Sequence, residues 1–275
     1  MQIKVLCIGD LVGRPGRHVL HEKLAGIVEE NEIDCVICNV ENAAGGSGLT
    51  DKIHSKLLNQ GVHLMTMGDH IYRKRDIIAT LQNSKALVKP ANLAITAAGQ
   101  DYAVYHTAKG ASVAVVSLLG RMYMNLQADN PYNAIDRILS RIPSDIRIII
   151  VDMHAEATSE KIAMGWHLDG RVSVVFGTHT HVMTADERVL PKGTGYITDV
   201  GMTGPHESVI GRNVEPVLKS LTTNMPFPFS IATNDLRMNG IIATINSHTG
   251  QTSEIKRITV SCDYDNGGSY DQDDR

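Results

Sequence analysis

RIIIVDMHAE (147–156) and RVSVVFGTHTH (171–181) are continuous apolar runs that lead directly into carboxylate and imidazole side chains. An unbroken apolar run marks a strand buried on both faces. Reading towards the N-terminus, IKVLCIG (3–9), CVICNV (35–40) and VHLMTMG (62–68) are further strands. Helical patterns separate them over 17–30, over 51–60, where Thr50 is the N-cap, and in a short helix at 75–81. An antiparallel pair is expected at 102–106 and 112–118, and a helix over 131–142 starting at Pro131, a residue favoured in a first turn. Beyond 194, YITDV, PFSIAT, GIIATINS and EIKRITV look like mostly antiparallel strands. Strands alternating with helices predict an α/β class, with mixed β-sheet flanked by helices. The expected organisation is one domain over 1–261 and an acidic, disordered tail over 262–275.

Composition supports a single folded domain. The 275 residues are 43% apolar and 20% charged, which excludes disorder, collagen and coiled coil for the chain as a whole. The formal net charge of −4 is carried by the last fifteen residues, which hold five Asp and one Arg; the 25 basic and 25 acidic residues that remain in 1–260 balance. That balance does not indicate a general nucleic-acid binder, so RNA is a partner without support from charge. No stretch is long and apolar enough to span a membrane, and MQIKVLCIGD opens as a strand rather than a signal peptide. A cytoplasmic location is expected. Cys35 and Cys38 have a C-x-x-C spacing, but on a strand their side chains point to opposite faces, and no second pair completes a zinc site. They are read as buried structural thiols. Twelve histidines stand out beside one Trp and three Phe.

In open α/β sheets ligands bind beyond the carboxyl ends of the strands. The first strand is followed by Gly9-Asp10, the second by Glu41-Asn42, and the third by Gly68-Asp69-His70. The strand over 147–153 leads to His154-Ala155-Glu156, and that over 171–177 to His179-Thr180-His181. On an extended segment alternate residues point the same way, so His179 and His181 are expected to face one site. Imidazole and carboxylate without thiolate suit Mn, Fe, Zn or Ni. Seven candidate ligands exceed the needs of one ion, which suggests two ions sharing a bridging carboxylate. Such pairs typically lie about 3.5–4 Å apart and serve phosphate-ester hydrolysis.

Two rival chemistries fail on spacing. Gly9, Gly13 and Gly16 form G-x-x-x-G-x-x-G, which is neither a dinucleotide fingerprint nor a P-loop. There is also no G-x-S-x-G nucleophile elbow.

The pieces resemble the calcineurin-like metallophosphoesterases, and within them the bacterial YmdB-type phosphodiesterases. The resemblance covers most of residues 3–260 and rests on GDLVGRPGR (9–17), ENAAGGSGLT (41–50), GDH (68–70), KPAN (89–92), DMHAEATSEK (152–161), VVFGTHTHV (174–182) and ITDVGMTGP (197–205). It implies a four-layered α/β fold, a binuclear centre, and phosphodiesterase activity towards cyclic nucleotides such as 2′,3′-cAMP. It further implies that Asp10, Glu41, Asn42 and His181 hold one ion. Glu41 would bridge to a second ion held by Asp69, His154 and His179. His70 is implied as the general acid or as an electrostatic stabiliser near the leaving oxygen, and a homo-oligomer is implied as the assembly. The ions would be divalent or mixed-valence Fe, Mn or Zn, with a bridging hydroxide as the attacking group.

One position differs from the broader superfamily and two depart from the family pattern. Val12 stands where broader superfamily members carry His, and Asn42 helps make up that ligand. Asp69 stands where the family's motif is Gly-Asn-His, adding a negative charge among the ligands. This keeps open an alternative function, a regulatory metal- and nucleotide-binding protein with weak or no turnover. Leu119 replaces a common Gln. Arg14 and Arg17, next to the first metal loop, are candidates to grip a phosphate oxygen, and Asp199 is a candidate to support the ligands from behind.

Overall fold

The computed structural model describes residues 1–263. Along the chain run β1 (Gln2–Ile8), β2 (Asp10–Leu11), α1 (Gly13–Asn31), β3 (Cys35–Asn39), α2 (Asp51–Asn59), β4 (Leu64–Thr66), α3 (Ile77–Asn83) and β5 (Leu87–Val88). The middle of the chain forms β6 (Tyr102–His106), β7 (Ser112–Leu119), α4 (Pro131–Leu139), β8 (Ile148–His154), α5 (Thr158–Leu168) and β9 (Val174–Thr178). It closes with β10 (Arg188–Val189), β11 (Gly195–Ile197), β12 (Met202–Pro205), α6 (Val214–Thr223), β13 (Leu236–Asn246) and β14 (Thr252–Cys262).

Two mixed sheets result. The first has the order β2-β12-β13-β1-β3-β4-β5 with β14 paired to β13; the second has the order β10-β11-β9-β8-β7-β6. Strand alternation explains the layers. On β1, Ile3, Val5 and Cys7 face the second sheet, where they meet Val113, Val115, Ile148, Ile150, Val174 and Phe176. Leu6 and Ile8 face the other way and pack with Leu20 and Leu24 of α1, Ile53 and Leu57 of α2, and Leu81 of α3. The outer face of the second sheet, with Val116, Ile149, Val151 and Val175, is covered by Ile135 and Ile138 of α4 and Met164 and Leu168 of α5. The order helix, sheet, sheet, helix is the four-layered α/β arrangement expected from the resemblance. Cys35 lies between the sheets and Cys38 under the helices, on opposite faces as expected.

Several local readings change. Thr50 does cap α2, its Oγ1 accepting from the Ile53 amide at 3.3 Å. The helix α5 had no counterpart in the sequence reading, because its buried face is Lys161, Met164, Gly165 and Leu168 and so lacks an apolar stripe. The helix α6 was also unread; it buries only Val217. PFSIAT (228–233) is not a strand: Ile231 makes only an isolated bridge to Arg212. YITDV holds β11, which pairs antiparallel with β10 as expected but parallel with β9. The last strand, β14, ends at Cys262, and residues 264–275 of the expected tail lie outside the described residues.

Candidate metal centre

The layer between the sheets is apolar until the carboxyl ends of β3, β4, β8 and β9, where its alternation continues into polar residues. Cys35 and Ile37 are followed on their face by Asn39, Leu64 by Thr66, Ile148 and Ile150 by Asp152 and His154, and Val174 and Phe176 by Thr178. Asp152, fully buried, joins the two sheets. Its carboxylate accepts from Asn39 Nδ2 at 3.0 Å, Thr66 Oγ1 at 2.5 Å and Thr178 Oγ1 at 2.6 Å. Burial still holds its pKa above the usual carboxylate range. Above this floor Thr178 Oγ1 lies 2.9 Å from His154 Nδ1, which turns Nε2 of that ring outward.

Nε2 of His154 lies 3.3 Å from Glu41 Oε1, 3.1 Å from Asp69 Oδ1 and 3.0 Å from His179 Nδ1. One ligating atom from each of Glu41, Asp69, His154 and His179 lies within 4.8 Å of every other, a grouping that could hold a metal ion. Gly68 is required here by space. A Cβ on it would come within 2.3 Å of Glu41 Oε2 and of His154 Nε2. Burial raises the Asp69 carboxyl, but hydrogen bonds from His154 and His179 outweigh it and hold its pKa well below the usual range.

The other predicted ligands adjoin this cluster. Asp10, fully buried at the start of β2, accepts the His179 amide through Oδ2 at 3.2 Å, while its Oδ1 has no hydrogen-bond partner. Burial pushes this carboxyl up to about 8. Asn42 donates through Nδ2 to the Gly46 carbonyl at 3.0 Å and sits 3.0 Å from His70 Nδ1, leaving its Oδ1 buried and partnerless. Two orphaned buried oxygens beside Glu41 are what a cation would satisfy, since a buried acceptor without a partner is costly. The donor set of carboxylate, carboxamide and imidazole oxygens and nitrogens fits a hard-to-borderline divalent metal. His181 directs Nδ1 to the Ile210 carbonyl at 3.0 Å, which frees Nε2 to ligate.

His179 and His181 are not on an extended segment, contrary to the expectation. β9 ends at Thr178, and the two residues have left-handed backbones with φ of 96° and 65°. The loop between them is tied down instead. Asp199 accepts from the Thr180 amide at 3.3 Å and its hydroxyl at 2.7 Å, and pairs with buried Lys161 Nζ at 2.6 Å. The supporting place expected for Asp199 is therefore occupied. Lys161 was missed because a lysine on a helix reads as solvated.

His70 sits beside the cluster with its amide on Glu41 Oε2 at 3.0 Å and Nδ1 3.4 Å from Glu41 Oε1. Burial lowers its pKa, only partly offset by Glu41 and Asp69. A cavity of about 370 Å³ opens here, lined by Glu41, Asn42, His70, His179, His181 and Arg212 among others. Arg212, in a loop without a readable motif, is the cation that faces it. Arg17 does not: it is buried and donates to the Ala43 carbonyl, a structural use. Glu156 also borders the cavity, with Oε2 3.2 Å from His179 Nε2. His206 stands in a neighbouring groove that begins at His181, 2.9 Å from Asn239 Nδ2. Leu119 is buried in the helix-side core.

Residues 6–258 match the family model described as YmdB-like protein. The chain belongs to the YmdB-like family. Within that family it is 40% identical over 262 residues to the 2′,3′-cyclic-nucleotide 2′-phosphodiesterase of Bacillus subtilis (strain 168), covering 95% of this chain and 98% of that protein. Two solved structures agree with the fold. A hypothetical protein of Thermus thermophilus superposes with a TM-score of 0.87 at 37% identity, over 94% of this chain and 99% of that one. A novel phosphatase of Mycoplasma pneumoniae superposes with a TM-score of 0.88 at 35% identity, over 95% and 94%. As in the sequence reading, no helix among the described residues is long and apolar enough to cross a membrane.

Proposed function

We propose that this YmdB-like chain is a metal-dependent phosphodiesterase acting on small nucleotide phosphodiesters, 2′,3′-cyclic nucleotides among them. The observation that carries this is the pairing of the Glu41–Asp69–His154–His179 cluster with the orphaned oxygens of Asp10 and Asn42 beside it. Asp10, Glu41, Asn42 and His181 would hold one ion and Asp69, His154 and His179 the other, with Glu41 common to both. Mn, Fe or Zn suits these donors. When bound, the ions supply Lewis acidity that neutralises charge gathering on the phosphoryl oxygens.

The chain's own residues supply the rest. Asn42 Nδ2 donates towards His70 Nδ1, so the imidazole proton resides on Nε2. From there His70 donates a hydrogen bond to the departing ribose oxygen as charge gathers on it, and that oxygen takes its proton from water. Arg212 holds a non-reacting phosphoryl oxygen, and Ile210 and Ile231 keep the cavity wall apolar. The name of the Bacillus subtilis relative supports the choice of 2′,3′-cyclic substrates.

The experiment is to load purified protein with Mn, Fe or Zn and incubate it with 2′,3′-cAMP. A nucleoside monophosphate product that disappears in His154→Ala is expected. Asp69 favours a second reading, a binder that retains metal and nucleotide without turning it over. Metal and nucleotide retained with no product would establish that reading and overturn the first.

A further inference from the structure

Another cavity, of about 310 Å³, reaches the cluster at Asp69 and is lined by Asp69, Tyr72, Arg73, Asn125 and Leu126, none of which lines the cavity that holds His70. The volume lies at the low end for small-molecule sites, which run from about 300 to 1,000 Å³, and suits a single nucleoside rather than a strand. Its walls come from two loops, and both are held in place. Tyr72 is 38% exposed, yet its hydroxyl donates to the Ala98 carbonyl at 3.0 Å, which fixes the plane of the ring.

The loop carrying Asn125 is pinned at both ends. At its start, Glu160 on α5 accepts the amides of Arg121 at 2.9 Å and Met122 at 3.1 Å. At its base, the Asn92 carboxamide donates to the carbonyls of Leu119 at 2.8 Å and Asp129 at 2.9 Å, and accepts the Leu119 amide at 2.8 Å. This gives a use to the KPAN motif that the metal centre does not. Between the pins, Met124, Leu126 and Ala128 pack on the core, and the alternation turns Asn125 outward. A loop anchored this heavily presents its exposed carboxamide in one position.

An aromatic face, a guanidinium and a carboxamide are the groups with which proteins stack a base and read its edge. An inorganic phosphate would need only the cation. We propose that the Tyr72–Arg73–Asn125 cavity is a nucleobase subsite, placing the base of a nucleotide whose phosphate lies at the Asp69 cluster. This rests on the phosphodiesterase reading and narrows its substrates to diesters bearing a base on that side. Tyr72 stacks on the base, Asn125 pairs with its edge, and Glu160 and Asn92 are positioning residues.

The test compares metal-loaded wild type, Tyr72→Ala, Asn125→Ala and Tyr72→Phe on 2′,3′-cAMP and on a ribose 2′,3′-cyclic phosphate that lacks the base. Metal content and circular dichroism control for folding. Wild type should prefer 2′,3′-cAMP. Tyr72→Ala should cut the ratio of kcat/KM values for the two substrates roughly five- to hundredfold, mostly through KM, as expected for loss of one base stack. Tyr72→Phe should recover most of the ratio, and Asn125→Ala should lower it. A ratio that does not move in Tyr72→Ala and Asn125→Ala overturns the subsite while leaving the phosphodiesterase intact. If neither diester is hydrolysed, the functional reading fails instead, and calorimetry with 3′-AMP decides the subsite. Weaker binding to Tyr72→Ala supports it; no binding, or equal binding by both proteins, overturns it.

Discussion

Asn42 Nδ2 lies 3.0 Å from His70 Nδ1 and donates its other hydrogen to the Gly46 carbonyl, so one carboxamide sets the imidazole tautomer and leaves its own oxygen free for a cation. Asn42→Asp separates these two duties. The introduced carboxylate still ligates but cannot donate, so Nδ1 takes the ring proton and Nε2 loses it. Metal content by elemental analysis should hold, while kcat on 2′,3′-cAMP falls about a hundredfold, the low end for loss of one hydrogen-bond donor to a developing oxyanion. The loss should shrink on a p-nitrophenyl diester, whose leaving oxygen gathers less charge. An equal loss on both substrates would exclude a hydrogen-bond role for His70 at the leaving oxygen.

Asp152 gathers Asn39, Thr66 and Thr178 from both sheets directly beneath His154. Asp152→Ala strands three buried donors at once, and each unsatisfied group costs roughly 1–3 kcal/mol. Urea denaturation of the metal-free protein should show a destabilisation of at least about 3 kcal/mol. Asp152→Asn, which keeps an acceptor, should lose less.

How far the sequence was readable follows from what each side chain does. The strands showed because their faces repeat every two residues, and the candidate ligands showed because they stand at strand ends or within three residues beyond them. Apart from α6, which buries only Val217, what was hidden was mostly polar groups turned inward. On α5 two of the four buried positions are Lys161, which pairs with Asp199, and Gly165, where a Cβ would lie 2.5 Å from the Tyr196 ring, so Met164 and Leu168 are left without a full apolar stripe. Asp152 was invisible as a floor because its partners come from three other strands, Asn39 on β3, Thr66 on β4 and Thr178 on β9. His179 and His181 were placed at the site by the wrong geometry. Their side chains converge through two left-handed residues and an anchored Thr180, not through extended alternation.

That anchoring predicts the behaviour of Lys161. Removing one partner of a buried ion pair leaves an uncompensated charge and costs about 3–5 kcal/mol. Lys161→Met should destabilise the protein by that amount in denaturant unfolding and release the Thr180 loop. Because His179 and His181 ride on the loop, metal retention after dialysis should fall as well. Lys161→Met/Asp199→Asn should regain part of the stability, since no unpaired charge remains. If the double variant is less stable than Lys161→Met alone, coupling between the two residues is refuted.

Metal should stabilise the fold as well as activate it. Glu41, Asp69, Asp10 and Asp152 place four carboxyls around His154, and two of their neighbouring oxygens lack partners. A ligand present at a hundred times its dissociation constant adds about 2.7 kcal/mol. Thermal unfolding should therefore shift down by several degrees on chelation and return on adding Mn or Zn. Gly68→Ala, which crowds Glu41 and His154, should abolish the shift. A chelator-insensitive midpoint in the wild type would argue that these residues hold no ion.

Away from the site, Asp101 sets an acid limit on stability. Its carboxylate accepts from Lys89 Nζ and Arg141 Nη1, each at 2.7 Å, and Lys89 is itself buried. Burial alone would raise the pKa, but the two cations outweigh it and hold it below the usual carboxylate range. A carboxyl whose native pKa lies below its unfolded value of about 3.9 stabilises the fold above that value, and the contribution is lost as pH falls through the native pKa. Asp101→Asn should therefore cost about 1–3 kcal/mol at pH 7, the range for hydrogen bonds to charged groups. The gap between wild type and variant should narrow below about pH 4, as the wild-type carboxyl takes up its proton. Urea midpoints measured from pH 7 to pH 3 check both the size and the sign; a gap that widens towards acid would show that the ion pair is not what Asp101 contributes.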